Sequence, residues 1–272
     1  MYETYWHLNQ KPFENATDPR FYYPGESHQA ALLKLRYAIE NRRGGALLAG
    51  PSGTGKTLVT TLLRGTLGED FSPFVHLVFP KMATAELIAY LADELDGMNS
   101  AATPDLRSST QRIERFLAAN TKKGRHAIIA IDEAHLLHDA DTFEALRLLL
   151  NFEPDGSPAM TLLLVGQSSI LPSINRMPQF EERLGVKCLL RPFSEMETAG
   201  YVEHRLKVAG ATRSIVEHDA LSTLQELTHG VARRINRLCD LALLIGFAEE
   251  QQTLGASHFE AVCRELVAVA PE

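Results

Sequence analysis

Short, predominantly apolar runs punctuate the first two thirds of the chain: Ala46 to Ala49, Phe74 to Phe79, Ala127 to Ile131, Thr161 to Val165 and Val186 to Leu190. Runs this apolar predict strands covered on both faces, as in a parallel sheet with crossover helices. Between them, apolar residues recur at helical spacing. Ala31, Leu32, Leu35, Ala38 and Ile39 mark a helix over His28 to Glu40, with Ser27 as its expected N-cap. Thr57 to Leu67, Ala83 to Leu95 and Thr142 to Leu150 read as helices, as does a stretch after Ser108 and Ser109 carrying Ile113, Phe116 and Leu117. Gly97 to Pro104 and Asn151 to Pro158 read as loops. After Phe193 the strand signal stops, and Tyr201 to Val208, Asp219 to Leu227, Val231 to Phe247 and Ser257 to Val269 all read as helices. The first 25 residues differ from both patterns. Tyr5, Trp6, Pro12, Phe13, Pro19, Phe21, Tyr22, Tyr23 and Pro24 predict an ordered, extended arm packed on the core. The expected organisation is an arm (1–25), an α/β core (26–192) and a helical lid domain (193–272).

Composition narrows the classes. The 272 residues are 45% hydrophobic and 22% charged, as in an ordinary globular protein. A net charge of −7 gives no bulk attraction to nucleic acid or an anionic membrane. Local basic spots remain at Arg42-Arg43, at Lys122, Lys123 and Arg125, and at Arg233, Arg234 and Arg237. Cys188, Cys239 and Cys263 form neither a disulfide framework nor a zinc motif, so buried free thiols in a reducing cytosol are expected. The aromatic N-terminus is not a secretory signal. The longest apolar runs, such as Leu241 to Ala248, fall well short of the ~20 residues that span a bilayer.

The chemistry concentrates where strands end. Gly50-Pro51-Ser52-Gly53-Thr54-Gly55-Lys56-Thr57 fits G-x-x-x-x-G-K-[ST] between a strand and a helix that continues through Leu58. Its glycines let backbone N–H groups turn inward on phosphate, and the helix N-terminus adds positive charge there. ATP is the expected ligand: Lys56 would reach its β- and γ-phosphates, and Thr57 would give its hydroxyl to Mg2+. Ala127 to Ile131 ends in Asp132-Glu133, at the sheet edge where open α/β folds bind ligands. Asp132 would hold the magnesium, and Glu133 would polarise the attacking water. Gln167 follows the fourth strand and could orient that water or sense the phosphate. Arg183 precedes the fifth strand; it could stabilise charge in a neighbouring subunit's site or pair with a surface Glu. Arg233 and Arg234 open a C-terminal helix after Gly230, where an arginine can fold back onto phosphate. His135 and His138 read as polar surface residues, with no ligand set for a further metal.

Taken jointly these pieces resemble AAA+ ATPases of the general secretion pathway protein A family and related pilus-biogenesis ATPases, over nearly the whole chain. Lys11-Pro12-Phe13, Asp18-Pro19 with Phe21 to Tyr23, His28, Leu164 to Gln167, Arg191 to Phe193, Tyr201, His204 to Leu206 and Gly230 to Asp240 carry the likeness. The resemblance implies a five-stranded parallel sheet in the order 5-1-4-3-2 and a C-terminal helical lid. It implies Gln167 as sensor 1, Arg183 as a trans-acting finger and Arg233 as the sensor-2 arginine. Ala232 stands where the family usually has proline, so Arg234 stays a rival to Arg233. It further implies a nucleotide-dependent homo-oligomer, often a hexamer, that drives a secretion or pilus machine from the cytoplasm, reaching the membrane through a partner. Type II secretion relatives carry a membrane span and a peptidoglycan-binding part after the ATPase. The chain ends at Glu272 with neither, which suits a cytoplasmic fragment or a stand-alone member. The same core resembles transposition regulators that act on DNA; that partner stays open, though the acidic charge does not favour it.

Overall fold

A computed structural model describes residues 1–98, 105–137 and 139–268. Most of the loop expected over 97–104, His138 and Val269 lie outside the described residues. A short helix α1 (Tyr2–Tyr5) and a 3-10 turn at Pro19–Phe21 open the chain. Helix α2 (Glu26–Glu40) leads to β1 (Gly45–Ala49), and a glycine-rich turn then enters α3 (Lys56–Thr66). Next come β2 (Phe74–Leu77), α4 (Thr84–Asp96), α5 (Leu106–Lys122), β3 (Ala127–Ile131) and a 3-10 turn at Ala134–Leu136. They are followed by α6 (Ala140–Leu149), β4 (Met160–Gly166), α7 (Ile170–Asn175), α8 (Pro178–Glu181) and β5 (Leu184–Leu189). Helices α9 (Glu195–Val208), α10 (His218–Thr228), α11 (Ala232–Ala248) and α12 (Ala256–Ala268) complete the succession.

The strands form one parallel sheet ordered β2-β3-β4-β1-β5, which is the expected 5-1-4-3-2 read from the other edge. All residues of β1, β3 and β4 are buried, because helices cover both faces of the central strands. The side-chain period of two sorts them. Leu47, Ile129, Ile131, Leu162 and Leu164 join a core with Leu87, Leu91, Ile113, Leu117 and Phe143. Ala46, Leu48, Ile128, Ala130, Leu163 and Val165 face the other way, into a core with Leu35, Ile39, Val59 and Leu63. Each such leucine contributes roughly 1.5–3 kcal/mol relative to leaving it in water. The outer strands β2 and β5 are only partly buried, as edge strands are.

Contacts divide the chain into two compact units. One holds 27–51 and 59–190; the other holds 1–26, 52–58 and 191–272. The second has its own core, and the arm is built into it. Trp6 is 1% exposed and donates its indole N–H to the Leu243 carbonyl at 2.9 Å. Tyr2, Leu8, Phe13 and Phe21 pack among Tyr201, Leu206, Leu224, Ile235 and Leu238. The expectation of an extended arm on the α/β core is therefore corrected: the arm contains a helical turn near each end, and its aromatics share one buried cluster with the C-terminal helices. One cap and one helix start are also corrected. Helix α2 already includes Ser27, starting just after Pro24-Gly25. Helix α5 starts before Ser108, where the Asp105 carboxylate accepts from the N–H groups of Arg107 and Ser108.

Cys188 and Cys239 are buried and Cys263 is half-buried; all are free thiols. Burial pushes the Cys188 thiol up to about 11. Among the described residues, no helix is long and apolar enough to cross a membrane.

His126, just before β3, is 1% exposed and shares a 2.8 Å hydrogen bond with Thr161 Oγ1. Burial, aided by Arg42, lowers its pKa from 6.5 to about 4. The unfolded chain thus binds this proton more readily than the folded one. Stability should be full above pH 6.5 and fall progressively toward pH 4, by on the order of 3 kcal/mol at 1.36 kcal/mol per unit. His126→Gln should flatten that part of a stability–pH curve; an unchanged slope between pH 6.5 and 4 would place the acid sensitivity elsewhere.

Candidate functional site

Register fixes what meets at the C-terminal edge of the sheet. Ile131 pairs with Leu77 on one side and Leu164 on the other, and Ala49 pairs with Gly166. The next residues along these strands are Asp132, Gly50 and Gln167. Gly50, the first residue of the glycine-rich turn, donates its N–H to the Gly166 carbonyl at 3.2 Å. The turn therefore leaves the sheet at the same edge that carries Asp132, Glu133 and Gln167.

Asp132 is 3% exposed. Its Oδ1 accepts the Glu133 N–H at 2.8 Å, and its own N–H donates to the Leu77 carbonyl at 2.8 Å. His76 Nε2 on β2 lies 3.8 Å from its Oδ2. Burying a carboxylate at a strand end is costly unless charge or hydrogen bonds compensate, and such a position is kept for chemistry more often than for stability. Glu133 is different. Its backbone is left-handed at φ 50°, which costs about 1–3 kcal/mol for a residue with a side chain. That turn lifts its carboxylate into solvent, 47% exposed, beside His135. The two adjacent acids are thereby sorted: one is fixed and enclosed, the other accessible.

The rest of the turn is short and tightly wound. Gly53 and Gly55 take φ of 78° and 92°, values that favour glycine. Pro51 and Ser52 are exposed, Thr54 and Lys56 are buried, and Lys56, Thr57 and Leu58 form the first turn of α3. Within the arm-and-helices unit, the Arg233 N–H donates to the Gly53 carbonyl at 3.1 Å. A β-carbon on Gly53 would lie 2.8 Å from Arg233 Cβ and 3.2 Å from Val231 Cγ1. Arg233 is the second residue of α11 and is exposed, as is Arg234, whose N–H bonds Val231 instead.

Arg183 is exposed immediately before β5, and its carbonyl accepts the Gly45 N–H at 3.0 Å. It lies at the N-terminal end of the sheet. Asp132 and Gln167 follow the C-terminal ends, so a strand of six residues, roughly 20 Å, separates the two edges. Among the described residues, no carboxylate pairs with its guanidinium.

His76 has no signal in the sequence that would place it beside Asp132. His135 was read as a surface residue, yet its Nδ1 lies 3.2 Å from Glu133 Oε2. The available signal was proximity alone, a histidine two positions past a strand-end glutamate.

A model described as an AAA domain matches residues 39–174, half of the chain. The chain belongs to this AAA domain family, and its sheet order and phosphate-loop motif are those of an AAA+ P-loop ATPase. It is similar to General secretion pathway protein A of Aeromonas hydrophila, 32% identical over 251 residues that cover 91% of this chain and 45% of that relative. The chain thus spans less than half of that protein's length. Two solved structures share the fold at lower identity. Cdc6p from Pyrobaculum aerophilum gives a TM-score of 0.72 at 17% identity, covering 96% of this chain and 74% of its own. The Thermotoga maritima RuvB branch migration motor gives 0.57 at 17%, covering 88% and 69%.

Proposed function

We propose that this chain is a magnesium-dependent ATPase that couples nucleotide turnover to the assembly of an envelope secretion or pilus machine. The observation that carries the catalytic part is the sorted pair at the end of β3, an enclosed Asp132 followed by a solvent-reaching Glu133. The likeness to General secretion pathway protein A supports the setting.

The donor set suits the ion. Among the described residues, no three His, Cys, Asp or Glu side chains gather into a cage. Magnesium is usually held by one or two protein oxygens plus phosphate and water, which a Thr57 hydroxyl and an Asp132 carboxylate can supply. When bound, the ion neutralises charge on the phosphates. The backbone from Gly50 to Leu58 cradles them, with Lys56 as point charge on the β- and γ-groups. Glu133 accepts a proton from the attacking water while Gln167 orients it. Arg233 is the better candidate for the sensor-2 role than Arg234, because its backbone and stem pack on the turn itself.

Arg183 acts on a second copy. Its own chain's Asp132 lies at the opposite edge of the sheet, so an arginine here serves a neighbour's phosphate or none. Arg183→Ala and Lys56→Ala should each lose most turnover alone and recover part of it when mixed, since each supplies what the other lacks. No recovery would return Arg183 to an ordinary surface role.

The test of the whole reading is ATP turnover against protein concentration, with and without duplex DNA, beside Lys56→Ala. Turnover that rises with concentration and ignores DNA supports a self-assembling envelope ATPase. Turnover that appears only with DNA replaces it with a DNA-bound regulator.

A further inference from the structure

Arg205 on α9 is a buried guanidinium whose hydrogen bonds all go to uncharged oxygens. Its Nε donates to the Pro12 carbonyl at 2.5 Å and its Nη2 to the Glu14 carbonyl at 2.8 Å. Nη1 donates to Tyr201 Oη at 2.8 Å and to Asn236 Oδ1 at 3.4 Å. A guanidinium has more N–H donors than these, and one hydrogen on Nη2 is left over. The ring centres of Phe13, Phe21 and Tyr201 lie within 6.0 Å and offset part of the charge. None of these partners is an anion, and a buried cation without one is costly.

Arg205 lines a polar cavity of about 290 Å³ whose other walls come from the arm. Three cations, Lys11, Arg20 and Arg205, face two acids, Glu14 and Asp18. Both acids are already engaged. Asp18 Oδ2 accepts Nε and Nη2 of Arg20 at 3.0 and 2.6 Å, and Glu14 lies 3.8 Å from Lys11 Nζ. The hydrogen bond from Arg20, with the charge of Arg205 adding to it, holds the Asp18 carboxyl below the usual carboxylate range. Among the described residues, no carboxylate pairs with Arg205, so the one excess positive charge of the wall falls to it.

We infer that this cavity binds a small carboxylic acid as its anion, with the carboxylate on Arg205. One excess charge calls for a monoanion. One spare N–H calls for a single acceptor oxygen rather than the forked contact that phosphate takes. The volume lies at the lower end of ligand sites, roughly 300–1,000 Å³, which suits a small acid. No wall residue belongs to the phosphate turn, so the site stands apart from the proposed ATPase reaction. Because the arm supplies every wall but one, the bound acid ties the arm to α9.

Titration of the full chain with sodium lactate tests this, beside inorganic phosphate and sodium chloride at equal ionic strength. Trp6, the single tryptophan, is buried in the same unit and reports its unfolding by fluorescence. Lactate should stabilise the unit saturably, with Kd on the order of 1 mM. At a hundred times Kd the unfolding equilibrium constant should fall about a hundredfold. Phosphate should give at most a tenth of lactate's affinity, and chloride no saturable effect. Arg205→Ala would loosen the arm itself, so the site is mapped with rim variants, each measured against its own lactate-free midpoint. Asp18→Asn keeps an acceptor for the turn at Pro19–Phe21 and removes a negative charge, so lactate should bind about three- to tenfold more tightly. Arg20→Gln removes a cation and frees Asp18 to pair with Arg205, so lactate should bind at least tenfold more weakly. Equal stabilisation by phosphate or chloride, no saturable effect of lactate, or two variants that shift its affinity in the same direction or not at all would each overturn the inference.

Discussion

Glu133→Gln should bind ATP as tightly as the parent chain and turn it over about a hundred to a thousand times more slowly. The amide has the shape of the carboxylate, so the left-handed turn at residue 133 and the neighbouring His135 can stay in place. What is lost is the capacity to take a proton from water. Binding should survive because the turn from Gly50 to Leu58 does not include residue 133. Filter retention of labelled ATP beside phosphate release reads both quantities on one sample. Parent-like phosphate release would remove Glu133 from the chemistry and leave Asp132 as the sole acid of consequence at that edge.

Arg205→Ala should destabilise the arm-and-helices unit by about 3–5 kcal/mol, one of the larger effects a single side chain can have. Arg205 is 5% exposed. Its guanidinium donates to the Pro12 carbonyl at 2.5 Å, the Glu14 carbonyl at 2.8 Å and Tyr201 Oη at 2.8 Å. It also lies 4.7 Å from the centre of the Phe21 ring. Truncation leaves the buried Pro12 carbonyl without its donor, takes a second donor from the Glu14 carbonyl and removes the tie between arm and α9. Arg205→Lys should recover little, since a point charge cannot reproduce the fork. Denaturant unfolding with limited proteolysis of residues 1–25 would show it. An unchanged midpoint and an intact arm would mean that the aromatics alone hold the segment.

Strand composition made the sheet legible. Ala127 to Ile131 and the run ending at Val165 are apolar throughout and too short for a buried helix, which points to a sheet covered on both faces, and the glycine-rich turn after Ala49 is a pattern with a physical cause. The identities of Asp132 and Glu133 were legible for the same reason. Their division into an enclosed and an accessible acid was not, because it depends on a left-handed backbone at Glu133 that no spacing announces. The arm shows why burial and location are different questions. Trp6 and Phe21 had to be covered, but nothing local says which surface covers them. His135 was missed for a related reason: the residue it meets across the turn, Gln167, is 32 positions away.

Gly53 and Arg233 are 180 residues apart, yet carbonyl, amide and β-carbon meet with no room for another atom. Any side chain at residue 53 would have to push Arg233 and Val231 aside, so the glycine that gives the turn its φ of 78° is also what lets the head of α11 close on it.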